Sequence, residues 1–437
     1  MLLEFRVKNY KTFVDELVFS MIPAPKQKGL DYSILKEKVG KKEHRALSSA
    51  VIYGANASGK TNIIGAMETL KSIMLRGNVR NGDQSRLTFS DAAAIHLELI
   101  PNRYDQGKHP VFFSIKFIEQ TMLFEFQLTV DLGAFLDEEY SRRVVQEVLY
   151  VNERLVYNRH DELQIDAGWL SSFGMNVLDK QATELLSKLA FNNLVDDELF
   201  LTNGFKNIFS PKLAEMVSHW LENKFMVYYR ADSLQAKPSK SKKDTIFIDT
   251  TVNEAAKIFG ITSNELGYAS KDDESEQRLV SIIENDVLNA EIFESYGTVR
   301  FVHLFPVIIS ALLRGGTLVV DEFDASLHPM ALMSIINIFH SDDLNKNNAQ
   351  LIFNTHNPIF LNSNLFRRDE IKFVERDDDT SLSTHYSLSD FGTSGEKGVR
   401  MGGDYMKNYF VSQYGAIKEI DFSPVIEKLI EKLGVGR

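Results

Sequence analysis

Eight residues, Gly54-Ala55-Asn56-Ala57-Ser58-Gly59-Lys60-Thr61, constrain this chain more than any other stretch, because they meet the pattern G-x-x-x-x-G-K-[ST]. The run before them, Ser49 to Tyr53 (SAVIY), reads as a short apolar strand. After them Ile63, Ile64, Met67, Leu70 and Ile73 recur at helical spacing, so a helix is expected from Lys60 to about Met74. Strand, glycine loop and helix in that order let backbone N–H groups curl around phosphate oxygens, with the positive end of the helix behind them. In this reading Gly54, Asn56, Ala57, Ser58 and Gly59 form the cradle, Lys60 reaches the β- and γ-phosphates, and Thr61 ligates Mg²⁺. A glycine turn that binds nothing is the plainer alternative; the flanking strand and helix argue against it.

A second signal is Leu318-Val319-Val320-Asp321-Glu322, an apolar strand ending in two carboxylates. It resembles a Walker B element. Asp321 would hold Mg²⁺, and Glu322 would polarise the water that attacks the γ-phosphate in line. An apolar strand running into an exposed acidic turn is common by itself, so the weight comes from the glycine loop upstream.

At 437 residues the chain has room for two or three domains, or for one large domain carrying an insertion. Leu2 to about Ile22 reads as two strands of alternating pattern, and the strand-like segments Ala94–Ile100, Val111–Ile118, Met122–Val130 and Val144–Tyr157 suggest a mainly antiparallel lobe. From about Asp179 to Ile292 the pattern becomes helical, with candidates at Ala182–Phe191, Lys212–Phe225, Asn253–Phe259 and Glu276–Leu288. After Glu294 come a helix (Val299–Arg314), a strand (Thr317–Val320), a helix (Pro329–His340) and a strand (Gln350–Asn354). That order belongs with buried parallel strands. The expected fold is therefore α/β: a head split between residues 1–131 and 294–437, with residues 132–293 inserted as strands and then helices. The segment Lys237–Asp244 (KPSKSKKD) reads as a solvated loop, and Arg142-Arg143 and Arg367-Arg368 as surface pairs.

Composition removes several function classes. With no cysteine, disulfides, zinc thiolates and thiol chemistry are excluded together. Lys+Arg 49 against Asp+Glu 60 gives a net charge of -11, which argues against a phosphate-backbone coat while leaving room for a local basic patch on nucleic acid. No apolar run of membrane-spanning length and no signal peptide is read, so the expectation is a soluble, cytoplasmic protein.

The surrounding residues resemble the ABC family of ATPases within the AAA/RecF-SMC-like group. Glu294-Ser295-Tyr296-Gly297-Thr298 opens a helix where that family has its signature motif, although Tyr296 and Thr298 depart from the LSGGQ wording. As a bare S-x-G it would be only a helix cap. Asp324-Ala325-Ser326-Leu327-His328-Pro329 resembles the D-loop, and Leu351 to His356 (LIFNTH) puts His356 where the family keeps its switch histidine. The opening EFRVKNYKTF resembles RecF-like and SMC-like ATPases; NPIFL, LFRRDEIKFVE, HYSLSDF and YGAI resemble the RloA and AbiL type of bacterial ATP-binding protein. No glutamine-loop residue is assigned, Gln106 and Gln120 being the nearest in position.

The resemblance implies an ABC-type ATPase head that uses ATP and Mg²⁺ as a homodimer, the nucleotide sandwiched between Ser295 and Gly297 of one copy and the glycine loop of the other. It implies Glu322, His356 and Lys60 as the catalytic set, and a separate effector protein encoded nearby, in anti-phage defence. The alternatives are a DNA-repair or chromosome-maintenance ATPase of RecF/SMC type and a scaffold that binds ATP without turnover. A nuclease site on the acidic run Glu375 to Asp379 is a fourth reading, weighed against a solvated turn.

Overall fold

The strand and helix around the glycine loop form where the apolar spacing puts them: β5 spans Ser49–Tyr53 and α1 spans Lys60–Arg76. The computed structural model describes residues 1–25, 27, 29–80, 99–135, 140–171, 180–229, 246–262, 264–270, 277–393, 398–400, 402–418 and 420–433. In it β5 sits inside a six-stranded sheet with β11 (Phe225–Tyr228), β16 (Thr317–Val320), β17 (Gln350–Asn354), β18 (Ile371–Arg376) and β19 (Ser383–Ser387). The order is β11-β16-β17-β5-β18-β19, and every pairing is parallel except that of β18 with β19. Parallel strands all deliver their C-terminal ends to one edge, where open α/β sheets place their ligands.

Burial on both faces explains the apolar runs SAVIY, LVV and LIF. Alternate residues feed different cores. Ala50, Ile52, Val319 and Ile352 pack with Ile63, Met67 and Leu70 of α1 and with Val217 and Trp220 of α3 (Pro211–Asn223). Val51, Tyr53, Leu318, Val320 and Phe353 pack with Val302, Leu304 and Ile308 of α5 (Tyr296–Arg314) and Ile336 of α6 (Pro329–His340). By length and composition α5 could cross a membrane, with a mean hydropathy of 1.5, contrary to the sequence reading that no run approaches this length. In this fold half of that stretch is buried, as a core helix requires.

The expected antiparallel lobe is a seven-stranded sheet. Its strands are β1 (Leu2–Lys8), β2 (Leu17–Ser20), β6 (Val111–Glu119), β7 (Met122–Asp131), β8 (Arg143–Val151), β9 (Arg154–Arg159) and β10 (Leu163–Ile165), in the order β10-β9-β8-β7-β6-β1-β2. The stretch Val144–Tyr157 is thus two strands, broken at Asn152 and Glu153, which both take left-handed backbone with φ of 52° and 65°. A hairpin of β3 (Ile34–Val39) and β4 (Lys42–Leu47) stands beside this sheet. The strand expected at Ala94–Ile100 lies mostly outside the described residues, and the loop Lys237–Asp244 wholly so.

The stretch expected to be helical needs correcting. Helices do form at α2 (Lys180–Asn192), α3 and α4 (Thr250–Phe259). The described part of the candidate Glu276–Leu288, however, is a hairpin of β14 (Gln277–Ile283) and β15 (Asp286–Asn289), in a four-stranded sheet with β12 (Ile246–Ile248) and β13 (Glu265–Ser270). Glu284 turns the chain with a φ of 53°. β11 comes from the same stretch yet joins the parallel sheet beside β16.

Candidate functional site

The glycine loop closes the C-terminal end of β5, and steric fit dictates its glycines. A Cβ on Gly54 would come within 2.4 Å of the Val374 carbonyl oxygen and 2.5 Å of Ser58 Oγ. Gly59 has a φ of 110°, and a Cβ there would lie 2.9 Å from both Thr12 Oγ1 and Ser383 Oγ. Those neighbours clamp the loop. Ser383 Oγ donates to the Ser58 carbonyl at 2.6 Å, Asn62 Nδ2 donates to Thr12 Oγ1 at 3.0 Å, and Arg376 Nη1 donates to the Ala57 carbonyl at 3.2 Å. Sequence reading missed Thr12, Asn62, Arg376 and Ser383 as site residues; the YKTF wording around Thr12 was the only signal available.

Behind the loop, α1 begins at Gly59 with no side-chain cap and no acidic residue in its first turn. Its first N–H groups therefore have no side-chain acceptor, the arrangement that favours an anion. Lys60 is only 5 % exposed and donates from Nζ to the Gly54 and Ala55 carbonyls at 2.7 and 2.9 Å. Burial pulls its pKa down to about 8, against the opposing pull of Asp321, Glu322 and Asp324. Ser58 Oγ is buried without a hydrogen-bond partner.

Two neighbouring parallel strands supply the carboxylates and their partners. Thr61 Oγ1 donates to Asp321 Oδ1 at 3.1 Å, bringing together the two residues predicted to hold the metal. Asn354, at the end of β17, donates from Nδ2 to the same Asp321 oxygen and accepts from the Glu322 N–H at 2.5 Å. Glu322 itself is exposed and stands in left-handed backbone, φ 49°, with its carbonyl accepting from Arg300 Nη2 at 2.5 Å. His356 follows on the loop after β17; partial burial and then the Lys60 charge hold its pKa below the usual imidazole value. A cavity of about 480 Å³ is bounded by the loop from Asn56 to Thr61 together with Thr12, Asn62, Glu322, Asn354, His356 and Arg376.

Ser295 and Gly297 do not line this cavity. Ser295 caps α5, its Oγ accepting from the Thr298 N–H at 3.1 Å, and Tyr296 beside it is 63 % exposed. Gly297 lies so close to the D-loop stretch that a Cβ would fall 2.4 Å from the Ser326 carbonyl oxygen. Gln106 and Gln120 occupy turns with φ of 55° and 47° and are likewise not among the lining residues. In the acidic run, Asp377 Oδ1 accepts from the N–H groups of Asp379 and Thr380 and from the Thr380 hydroxyl, closing the turn between β18 and β19. Arg367 and Arg368, read as a surface pair, are buried. Arg367 holds Asp369 through Nε and Nη2 and the Gly29 carbonyl through Nη1, and Arg368 Nη2 donates to the Leu388 and Phe391 carbonyls.

Chemically, the site fits a nucleoside triphosphate with a divalent cation. The uncapped helix end and the lone Ser58 hydroxyl suit phosphate oxygens, Lys60 is a point charge able to leave its carbonyls for them, and Thr61 with Asp321 is an all-oxygen pair of the kind Mg²⁺ takes.

Residues 49–199 and 231–362 match the family described as "AAA domain, putative AbiEii toxin, Type IV TA system". No curated protein matches the chain. Among solved structures it is similar to the SMC head bound to the C-winged helix domain of ScpA, at 13% identity and a TM-score of 0.39 over 89% of this chain and 98% of that one. It is also similar to the SMC head domain from Thermotoga maritima, at 12% identity and a TM-score of 0.34 over 88% of this chain and 98% of that one. A third is the Smc head with an extended coiled coil, bound to the C-terminal domain of ScpA derived from Pyrococcus furiosus, at 14% identity and a TM-score of 0.38 over 89% and 97%. With well over half of its residues matched, glycine loop and Walker B strand included, the chain belongs to this AAA-domain family of P-loop ATPases.

Proposed function

We propose that the chain binds ATP with Mg²⁺ and hydrolyses it as an ABC-type ATPase, in a homodimer that sandwiches each nucleotide between two copies. The observation that carries this reading is the convergence of Lys60, Thr61, Asp321, Glu322 and Asn354 at the ends of three parallel strands, with Thr61 and Asp321 in direct contact at 3.1 Å. Mg²⁺, held by Thr61 and Asp321, would neutralise charge on the transferred phosphoryl group. Gly54 to Gly59 present N–H groups to the phosphates, and Lys60 moves from its loop carbonyls onto the β- and γ-phosphate oxygens. Glu322 orients the attacking water and receives its proton, and His356, which also lines the cavity, senses the γ-phosphate as a neutral donor.

In this reading the donors on the far side of the γ-phosphate come from the second copy. Ser295 and Gly297 stand outside their own cavity at the exposed start of α5, where the second copy's nucleotide would meet them. In this reading residues 1–131 and 294–437, joined by β11 from the stretch between, make the head. The ATPase cycle holds or releases a separate effector protein in bacterial defence, in the cytoplasm. Solution mass and phosphate release, for wild type and Glu322→Gln with and without ATP and Mg²⁺, test it. ATP with Mg²⁺ should strengthen the two-chain species, so that it survives dilution to concentrations at which the nucleotide-free protein separates; the effect should persist in the variant and relax with phosphate release in the wild type. No phosphate under any condition would leave the scaffold alternative, and strong salt-sensitive stimulation by duplex ends would favour the RecF/SMC alternative.

A further inference from the structure

The last described helix, α7 (Ser423–Leu433), contributes no residue to the lining of the nucleotide cavity, and the chain is exposed at every position from Asp421 to Lys432. Such exposure is out of keeping with its sequence. Phe422, Val425, Ile426, Leu429 and Ile430 are 70, 58, 52, 48 and 44 % exposed. At the helical repeat they fall in one stripe covering about 140° of the circumference. A helix of 11 residues is too short to persist in water by propensity alone, so its stability has to come from something packed on that stripe.

The charged residues say what. Lys428 and Lys432 run along one border of the stripe, Glu427 and Glu431 along the other. When two copies of such a helix pack stripe to stripe in parallel, two-fold symmetry sets the lysine border of each against the glutamate border of the other. Antiparallel packing would set lysine against lysine and glutamate against glutamate. We propose that α7 is a self-association element whose stripe is occupied by α7 of a second copy in parallel orientation. The contact needs no nucleotide and stands independently of the ATP-sandwich reading. Two copies so tethered would remain neighbours when their nucleotide sites part.

The test is sedimentation of the full chain without nucleotide at micromolar concentration. Wild type should carry the mass of two chains, and Ile426→Asp with Leu429→Asp should carry the mass of one while still unfolding cooperatively as a folded head, because neither side chain is buried within its own chain. Lys428→Glu with Lys432→Glu, and separately Glu427→Lys with Glu431→Lys, should each associate about tenfold more weakly, and mixing the two should restore association. The chain has no cysteine, so Phe422→Cys introduces a unique thiol at one end of the helix. Parallel pairing brings two such thiols together, and mild oxidation should cross-link them. A wild type that stays monomeric, a dimer indifferent to the stripe substitutions, a mixture that does not recover, or a dimer that fails to cross-link each overturns the proposal.

Discussion

The two ends of the parallel sheet bury the same kinds of polar group and use them in opposite ways. At the N-terminal end Gln350 is fully buried, and its amide is saturated: Oε1 accepts from the Leu2 N–H and the Thr317 hydroxyl at 2.6 and 2.9 Å, and Nε2 donates to the Leu2 and Leu47 carbonyls, both at 3.0 Å. Because Leu2 belongs to β1, this one side chain ties the parallel sheet to the antiparallel one. Beside it Ser49 Oγ donates to Glu370 and pairs with His340 Nε2. At the C-terminal end the bonds are provisional. Lys60 leans on the carbonyls of its own loop, Ser58 Oγ has no partner, and the cavity opens in front of both. The saturated amide of Gln350 specifies the fold, whereas a lysine resting on its own loop and a lone hydroxyl lining a cavity form a site that a ligand completes.

The sharpest way to probe the contrast is at the open end. Glu322→Gln should lower phosphate release by about 10²- to 10⁴-fold, with ATP binding and melting temperature unchanged. Undiminished turnover would remove Glu322 from the chemistry. Gln350→Leu attacks the closed end, where it leaves buried donors and acceptors unmet; the unfolding free energy should fall by about 3 kcal/mol in denaturant titration, with ATP affinity of the folded protein intact. Equal stability would erase the distinction between the two ends.

Proton linkage at Lys60 gives a smaller effect. Its folded pKa of about 8 lies below the ordinary lysine value of 10.5, so between the two the unfolded chain binds more protons and ligand-free stability rises with pH. ATP needs the ammonium, so affinity should be level below about pH 8 and then fall by up to about tenfold per pH unit above it. Calorimetric titration across that range checks this, and a flat profile would mean that the lysine stays charged. Smallest is Ser295→Ala, which loses the cap of α5 and should cost about 1 kcal/mol of stability. A much larger loss of turnover than of stability would place Ser295 with the open end.

What the sequence revealed depended on how locally each feature is encoded. β5, the glycine loop and α1 are contiguous and doubly marked, by glycines and by periodicity, and their limits were legible to within two residues. The parallel strands were legible because burial on both faces demands unbroken apolar runs. The β14–β15 hairpin was misread because Leu279, Val280, Ile282, Ile283, Val287 and Leu288 satisfy helical spacing as well as alternation. Only the turn at Glu284-Asn285, joining Ile283 to its partner Asp286, separates the two readings. Arg367 and Arg368 looked like surface charge because an Arg-Asp pair two residues apart is as common on a surface as in a core, and their other partners, Gly29, Leu388 and Phe391, are carbonyls that leave no side-chain signature. The ring of Thr12, Asn62, Arg376 and Ser383 was invisible for a similar reason, since three of its members reach the glycine loop only through the fold.

The left-handed backbone at Glu322 carries a consequence for how such a chain can change. A side chain with a Cβ costs free energy at a φ of 49°, and glycine would relieve it. The residue that the backbone would prefer at this position is therefore different from the one that the proposed chemistry requires. A library screened only for heat resistance should accumulate Glu322→Gly and lose turnover, and lineages that keep the carboxylate accept that disadvantage in every generation.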